Sequence, residues 1–431
     1  MPETLADWLT HLEAQHPRGA AGIELGLDRI RTVSCALGQR QFVPLITVAG
    51  TNGKGSTCAM LERILSHAGY RVGLYTSPHL LDYTERIRIG GTTVGAATLC
   101  RSFARVEAAR ANSANTSLTY FEFGTLAAWE CFAEAGVDVI VLEVGLGGRL
   151  DAVNIYDADC AIVTAIDIDH TDYLGVTRED IGFEKAGIFR CGKPAVCADP
   201  KAPVSLAAHA DQIGADLRLI NRDFGYLREH GQWKFWSRED GRKTRHSGLP
   251  YPGLPGLCQL QNASGAMAAL EALHKRLPVT LPHIRCGLRE VKLLGRFQVL
   301  LGRPTIVLDV AHNPQAARVL AENLESQLAV QALPAETWAV FGMLRDKDIA
   351  AVVRALVGRV TRWLPCSLGG ARAASADQLS RILTDQGITP HQCFASPAEA
   401  FRHAQENAGE DDRILVFGSF QTVADVLHEL A

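Results

Sequence analysis

The chain has 431 residues, more than one hydrophobic core usually organises, so two domains are expected, one of them large. Hydrophobic residues make up 47% and charged residues 21%, a balance that excludes a disordered or fibrous chain. A net charge of -4 gives no general attraction to nucleic acid or to an anionic membrane, so any anionic ligand has to be held locally.

The eleven cysteines include no C-x-x-C pair and point to reduced, mostly buried thiols rather than to a disulfide framework or a four-cysteine zinc site. The opening Met1-Pro-Glu-Thr-Leu-Ala-Asp-Trp8 lacks the basic region and apolar run of a signal peptide. Apolar strings such as Val139-Ile-Val-Leu142 are too short to span a bilayer. The expectation is a cytoplasmic protein outside the membrane, with a monomer as the default state.

Along the chain, short β-rich apolar runs alternate with helical patterns, which predicts an α/β fold with a mainly parallel sheet covered by helices. The strand Pro44-Leu-Ile-Thr-Val48 leads into Ala49-Gly-Thr-Asn-Gly-Lys-Gly-Ser56. From Ser56 to Ala68, residues Ala59, Met60, Ile64, Leu65 and Ala68 fall near one helical face before Gly69 stops the pattern. Strand, glycine-rich turn, lysine and helix make a phosphate cradle. Glycines let backbone N–H groups wrap close to phosphate oxygens, the helix N-terminus adds partial positive charge, and Lys54 adds a full one. The spelling departs from the usual nucleotide loop, with Val48 at the first glycine and Gly55 between Lys54 and the Ser56 hydroxyl. A glycine-rich turn with a solvated lysine is the alternative. A switch-type GTPase would need an Asn-Lys-x-Asp motif, and the chain has none.

The next strand, Arg71-Val-Gly-Leu-Tyr75, is followed by Ser77, which is either a turn hydroxyl before Pro78 or a neutral oxygen for a metal. Glu143 closes the strand Asp138-Val-Ile-Val-Leu142 and stands before Val-Gly-Leu-Gly-Gly-Arg-Leu-Asp151. Ligands of open α/β folds collect at that edge, so its carboxylate needs a cation, either a metal or an arginine such as Arg149. Cys160-Ala-Ile-Val-Thr164 similarly leads to Ile166-Asp-Ile-Asp-His170, where His170 is either structural or, beside Glu143, a ligand. Thr177-Arg-Glu-Asp180 predicts a capping box. Lys185 falls within the helix that follows, where an ordinary solvated lysine is one reading.

From Asn221 to Leu257 the texture becomes aromatic and charged, then rich in Pro and Gly, which predicts antiparallel strands and a loop. Tyr226, Trp233, Phe235 and Trp236 are expected to pack strands rather than to stack bases, because no net positive charge accompanies them. A helix from about Asn262 to Lys275 and the segment Gly295-Arg-Phe297 follow. Alternation resumes at Thr305–Asp309, Thr337–Phe341, Arg362–Pro365 and Arg413–Phe417. This predicts a division into residues 1–296 and 297–431.

Taken together, the chain resembles the bacterial folylpolyglutamate synthase and dihydrofolate synthase family of the Mur ligase superfamily over essentially its whole length. The matching segments are Gly50-Thr-Asn-Gly-Lys-Gly-Ser56, Ser77-Pro-His-Leu80 with Thr84-Glu-Arg86, Thr119-Tyr-Phe-Glu122, Glu143 to Asp151, Asp169-His170, Glu184-Lys-Ala-Gly-Ile188, Gly295-Arg-Phe297 and Asp309-Val-Ala-His-Asn-Pro314. The resemblance implies a large P-loop-type mononucleotide-binding domain at 1–296 for ATP and pterin. It implies a smaller Rossmann-like glutamate ligase domain at 297–431.

It also implies that Gly53, Lys54, Gly55 and Ser56, with Asn262, Arg296, Asp309 and His312, hold ATP, and that Ser77, Glu143 and His170 ligate magnesium. Thr119, Tyr120, Phe121 and Glu122, together with Leu150, Asp151 and Ala152, resemble the segments that contact the pterin. Lys54, His170 and Lys185 are the residues implied in catalysis. Lys185 matches a lysine that is carbamylated in this family and helps to hold a second magnesium. The implied reaction joins L-glutamate to dihydropteroate or to a tetrahydrofolate through an acyl phosphate. The sequence resembles bifunctional members more than synthases restricted to polyglutamylation, which stand as the alternative, followed by muramyl-peptide ligases.

Overall fold

In the computed structural model, which describes residues 2–16, 22–239, 242–328 and 336–430, the apolar runs of the first half form an eight-stranded sheet. Its strands are β1 Leu45–Ala49, β2 Val72–Tyr75, β3 Ile87–Ile89, β4 Thr92–Thr93, β5 Val139–Glu143, β6 Cys160–Val163, β7 Pro194–Cys197 and β8 Asp216–Leu219. They lie in the order β4-β3-β2-β5-β1-β6-β7-β8. Pairs from β2 across to β8 are parallel, while β3 and β4 add an antiparallel edge. Every residue of β1 and β5 is buried, as expected when helices cover both faces of a parallel sheet. Trp8, Phe103, Phe123, Trp129 and Phe132 fill the core of this part of the chain.

Because β1 lies between β5 and β6, the turns after all three strands emerge side by side at the carboxyl edge. The helix after β1 opens at Lys54 rather than Ser56, because Gly53 caps it in the left-handed region with φ 90°. The capping box at Thr177 forms: Asp180 N–H donates to Thr177 Oγ1 at 3.1 Å and Thr177 N–H to the Asp180 carboxylate at 3.1 Å.

The aromatic stretch forms β9 Phe224–Glu229, β10 Gln232–Glu239 and β11 Arg242–Leu249, a three-stranded antiparallel sheet. Trp233 and Phe235 are fully buried. Trp233 Nε1 donates to Pro250 O at 2.8 Å, so these rings pack the sheet.

The chain divides into two compact units, one of Met1–Gly253 with Leu260–Val291, the other of Leu254–Gln259 with Lys292–Ala431. The division thus comes before the expected 296/297 point and also transfers a short earlier segment. Hydrogen bonds within the second unit explain both: Val310 N–H donates to Gly295 O at 2.9 Å, and Leu257 N–H donates to the Asn323 side-chain Oδ1 at 2.9 Å. The second unit holds a five-stranded sheet of β12 Gln298–Leu300, β13 Thr305–Asp309, β14 Thr337–Phe341, β15 Arg362–Pro365 and β16 Arg413–Phe417, ordered β12-β13-β16-β14-β15. All its pairs are parallel except β12 with β13.

All eleven cysteines are free thiols, but Cys35, Cys191 and Cys393 are exposed and five are buried, so burial is less general than expected. Among the described residues no helix is long and apolar enough to cross a membrane.

Candidate active site

The turn after β1 is held from two sides. Lys54 Nζ folds back to donate to Gly50 O at 3.0 Å and Thr51 O at 3.3 Å. Thr51 N–H donates to Ala165 O at 2.7 Å, and Thr51 Oγ1 donates to Asp167 O at 2.9 Å. Thr164 Oγ1 donates to Asn52 O at 2.7 Å. The segment after β6 is therefore stapled to the glycine turn, with Gly55 and the buried Ser56 in the first helical turn. Asn262, on the helix Gln259–Ala272, is 3% exposed and abuts the same turn, since a Cβ on Gly53 would lie 2.5 Å from Asn262 Oδ1.

Glu143 stands opposite Val48 in the β5–β1 register and is buried. Ser77 N–H donates to Glu143 Oε2 at 3.2 Å, so the turn after β2 meets the end of β5. Arg149 is committed elsewhere, donating to Glu184 Oε1 from Nε at 3.1 Å and from Nη2 at 2.7 Å. That removes the expected alternative in which Arg149 neutralises Glu143. His170 has φ 52° and leads the short helix Thr171–Leu174, with Nε2 4.0 Å from Asp169 Oδ1.

Among the described residues no three His, Cys, Asp or Glu side chains form a metal cage. A strand-end carboxylate beside a serine fits magnesium nonetheless, because that ion usually takes one or two protein oxygens and completes its shell with phosphate and water. Imidazole is the less typical donor in such a set.

Lys185 is 3% exposed, so it is not a solvated surface lysine. Burial, and then the positive charge of Lys54, push its pKa down to about 7, while Asp169, Asp151 and Glu184 oppose the shift. Asp151 is buried too and is pushed up to about 7, with its hydrogen bonds and Lys54 acting in the other direction. Its carboxylate accepts from Leu146 N–H at 2.8 Å and Val153 N–H at 3.1 Å. Lys54, Lys185, Asp151 and Asp169 thus share one electrostatic neighbourhood. Glycine permits the close approach, since a Cβ on Gly148 would lie 2.7 Å from Glu184 O.

The segments expected to meet a pterin also converge. Thr119 and Glu122 are buried and close a capping box, with Thr119 N–H donating to Glu122 Oε2 at 2.7 Å. Phe121 stacks on Tyr75 at 5.7 Å between ring centres and lies against Gly145, where a Cβ would be 2.7 Å from its ring. Tyr120 meets Tyr83 edge-on at 5.6 Å. Leu150 O accepts from Gly26 N–H at 3.3 Å, and Ala152 is buried in the short helical turn capped by Asp151.

The structure adds a segment that sequence reading missed. Arg29 Nη2 donates to Glu122 Oε1 at 3.1 Å across 93 positions, and Arg29 also pairs with Glu24. Gly26 and Arg29 therefore join the two segments expected to meet a pterin, although nothing in their local pattern signals it.

Arg296, Asp309 and His312 form a cluster of their own in the second unit, at the ends of β13 and β16. Asp309 accepts from Phe297 N–H and Ala311 N–H, both at 2.8 Å. Burial raises its carboxyl above the ordinary range, opposed by Arg296. The Arg296 guanidinium lies 5.2 Å over the Phe420 ring, whose centre is 6.2 Å from that of His312. Phe420 was also missed by sequence reading, since an aromatic after a strand usually means packing.

Residues 48–198 match the family described as Mur ligase middle domain, and residues 295–420 that described as Mur ligase, glutamate ligase domain. A dihydrofolate synthase/folylpolyglutamate synthase of Escherichia coli (strain K12) is 45% identical over 426 residues, spanning 98% of this chain and 94% of the relative. This chain belongs to the dihydrofolate synthase/folylpolyglutamate synthase family. A solved family structure, E. coli FolC in complex with DHPP and ADP, has a TM-score of 0.91 at 43% identity and covers 100% of this chain and 99% of its own. Another bifunctional folylpolyglutamate synthase/dihydrofolate synthase, with Mn, AMPPNP and L-glutamate bound, has a TM-score of 0.89 at 45% identity, covering 99% and 98%. The family likeness therefore spans both units, including the phosphate turn and the Asp309 cluster.

Proposed function

We infer that this chain is an ATP-dependent ligase that joins L-glutamate to dihydropteroate, forming dihydrofolate, and to the γ-carboxylate of tetrahydrofolates, forming folylpolyglutamates. The observation that carries this reading is the meeting of the Lys54 turn, Glu143 with Ser77, and the Phe121–Asp151 pterin segments at one sheet edge. The first unit takes ATP and the pteroyl substrate. The second serves as the glutamate ligase domain and carries the candidate nucleotide residues Arg296, Asp309 and His312. The protein acts in the cytoplasm as a monomer.

In the reaction, the γ-phosphoryl group of ATP passes to the substrate carboxylate, and the amine of glutamate then displaces phosphate from the acyl phosphate. Gly53 to Ser56 present backbone N–H groups to the phosphates, with Asn262 beside Gly53. Lys54 neutralises charge that grows on the transferring group. Magnesium, held by Ser77, Glu143 and His170, supplies further charge neutralisation when bound. The pKa of Lys185 near 7 leaves a large share of neutral amine at neutral pH. Its nitrogen would form an N–C bond to carbon dioxide and release one proton, giving a carbamate that would hold a second magnesium.

Phosphate release from ATP, measured with dihydropteroate and with tetrahydrofolate and with or without glutamate, tests the reading. Glutamate-dependent turnover of both is expected, with a loss of about a hundredfold or more in Lys54→Ala. Turnover of tetrahydrofolate alone would favour a polyglutamylation-only synthase. Turnover of a muramyl substrate instead, or a fully active Lys54→Ala, would overturn it.

A further inference from the structure

The Thr84-Glu-Arg86 part of the chain has no role in the mechanism above, yet its arginine is placed at the reacting edge. Thr76 N–H donates to Arg86 O at 2.9 Å, and Tyr75 pairs with Ile87 across β2 and β3. The backbone of Arg86 therefore runs beside the turn whose Ser77 N–H meets Glu143.

Its side chain is held in a set orientation. Arg86 Nε donates to His79 Nδ1 at 2.9 Å, and the guanidinium carbon lies 5.0 Å from the Tyr83 ring centre and 5.5 Å from that of Tyr120. Because Arg86 Nε is the donor, His79 Nδ1 is the acceptor in this contact. The nearby Glu85 is occupied by the backbone, accepting from Leu80, Leu81 and Asp82 N–H at 2.8 Å each.

Arg86 is half-buried, and among the described residues it forms no ion pair. In the same unit Arg29, Arg88 and Arg110 are paired with Glu122, Glu62 and Glu107. A partly desolvated guanidinium with no carboxylate is costly, and its planar fork suits a bidentate carboxylate.

The two substrates of the proposed reaction differ in charge at this place. Dihydropteroate brings one carboxylate, the one that reacts. A reduced folate reacts through the γ-carboxylate of its glutamyl unit and brings an α-carboxylate only a few bonds away. Near Glu143 that second anion meets repulsion unless a cation receives it.

We propose that Arg86 is the specificity residue that binds the non-reacting carboxylate of the folyl glutamate tail. The inference rests on the two-substrate ligase reading. It predicts a split between substrates that a structural role for Arg86 would not produce.

In the full-length protein, Arg86→Gln should raise KM for tetrahydrofolate about tenfold to a hundredfold. KM for dihydropteroate and for L-glutamate should stay within about threefold, because neither needs this contact. Arg86→Lys should fall between, since lysine keeps the charge and loses the fork. The wild-type protein should also prefer tetrahydrofolate over its α-carboxamide by about tenfold or more, a test that requires no variant to fold.

Parallel rises in KM for dihydropteroate and tetrahydrofolate would overturn the proposal. So would a rise confined to L-glutamate, which would assign the carboxylate to the co-substrate, or equal wild-type use of acid and carboxamide. A wild-type protein that turns over neither pteroyl substrate would instead refute the ligase reading itself.

Discussion

Gly53→Ala perturbs the phosphate turn in two separable ways. Gly53 has φ 90°, and an added Cβ would lie 2.5 Å from Asn262 Oδ1. The left-handed backbone costs an alanine about 1–2 kcal/mol. Asn262 is 3% exposed, so giving way means an off-rotamer side chain at about 0.5–1.5 kcal/mol. The sum of roughly 1.5–3.5 kcal/mol corresponds to a fall of about 3–14 °C in the Tm of a unit this large. Because Asn262 borders the turn, KM for ATP should rise as well.

Thermal unfolding and ATP kinetics on a double-mutant cycle separate the two contributions. In an Asn262→Ala background the collision disappears while the backbone strain persists, so Gly53→Ala should cost about 1 kcal/mol less there. An equal cost in both backgrounds would refute the proposed contact. An unchanged Tm for Gly53→Ala alone would refute the strain as well.

Asp151→Asn should change the pH dependence of stability. The folded pKa of Asp151 is about 7 against an ordinary 3.8, so between those values the folded state binds more protons and the wild type loses stability as pH rises. The variant should gain on the wild type from pH 4 to pH 7 in urea unfolding, and parallel curves would contradict the burial effect. Trp233→Phe removes the hydrogen bond to Pro250 O and should cost about 1–3 kcal/mol with KM values unchanged. A substrate-binding defect would show that the aromatic sheet does more than pack. Thr119→Ala breaks the capping box of the helix Tyr120–Ala135 and should lower stability by about 1 kcal/mol, read by chemical denaturation. No measurable change would mean the cap is redundant there.

Several features could be read directly from local pattern. The β1 strand, the glycine turn and the helix from Lys54 follow from a short apolar run, residues that permit positive φ, and 3.6-residue periodicity. The strand-end positions of Glu143 and Asp309 are local in the same sense. So is the capping box at Thr177, whose partners are three residues apart.

Other features depend on strand order, which leaves no local trace. Lys185 reads as an ordinary helical lysine until the Gly148 turn closes over it. Arg149 stands near Glu143 in sequence, yet its charge goes to Glu184.

The residue types and their spacing determined which segments become strands, turns and helix starts, because backbone hydrogen bonding and side-chain periodicity act over a few positions. The tertiary structure decided which of those ends share an edge, through the order β2-β5-β1-β6. That order brought Ser77 to Glu143, Thr51 to Asp167, and the fields of Lys54 and Asp151 onto Lys185. Contacts between distant positions form only where burial of apolar faces offsets the entropy of closing long loops, a balance set by the whole chain.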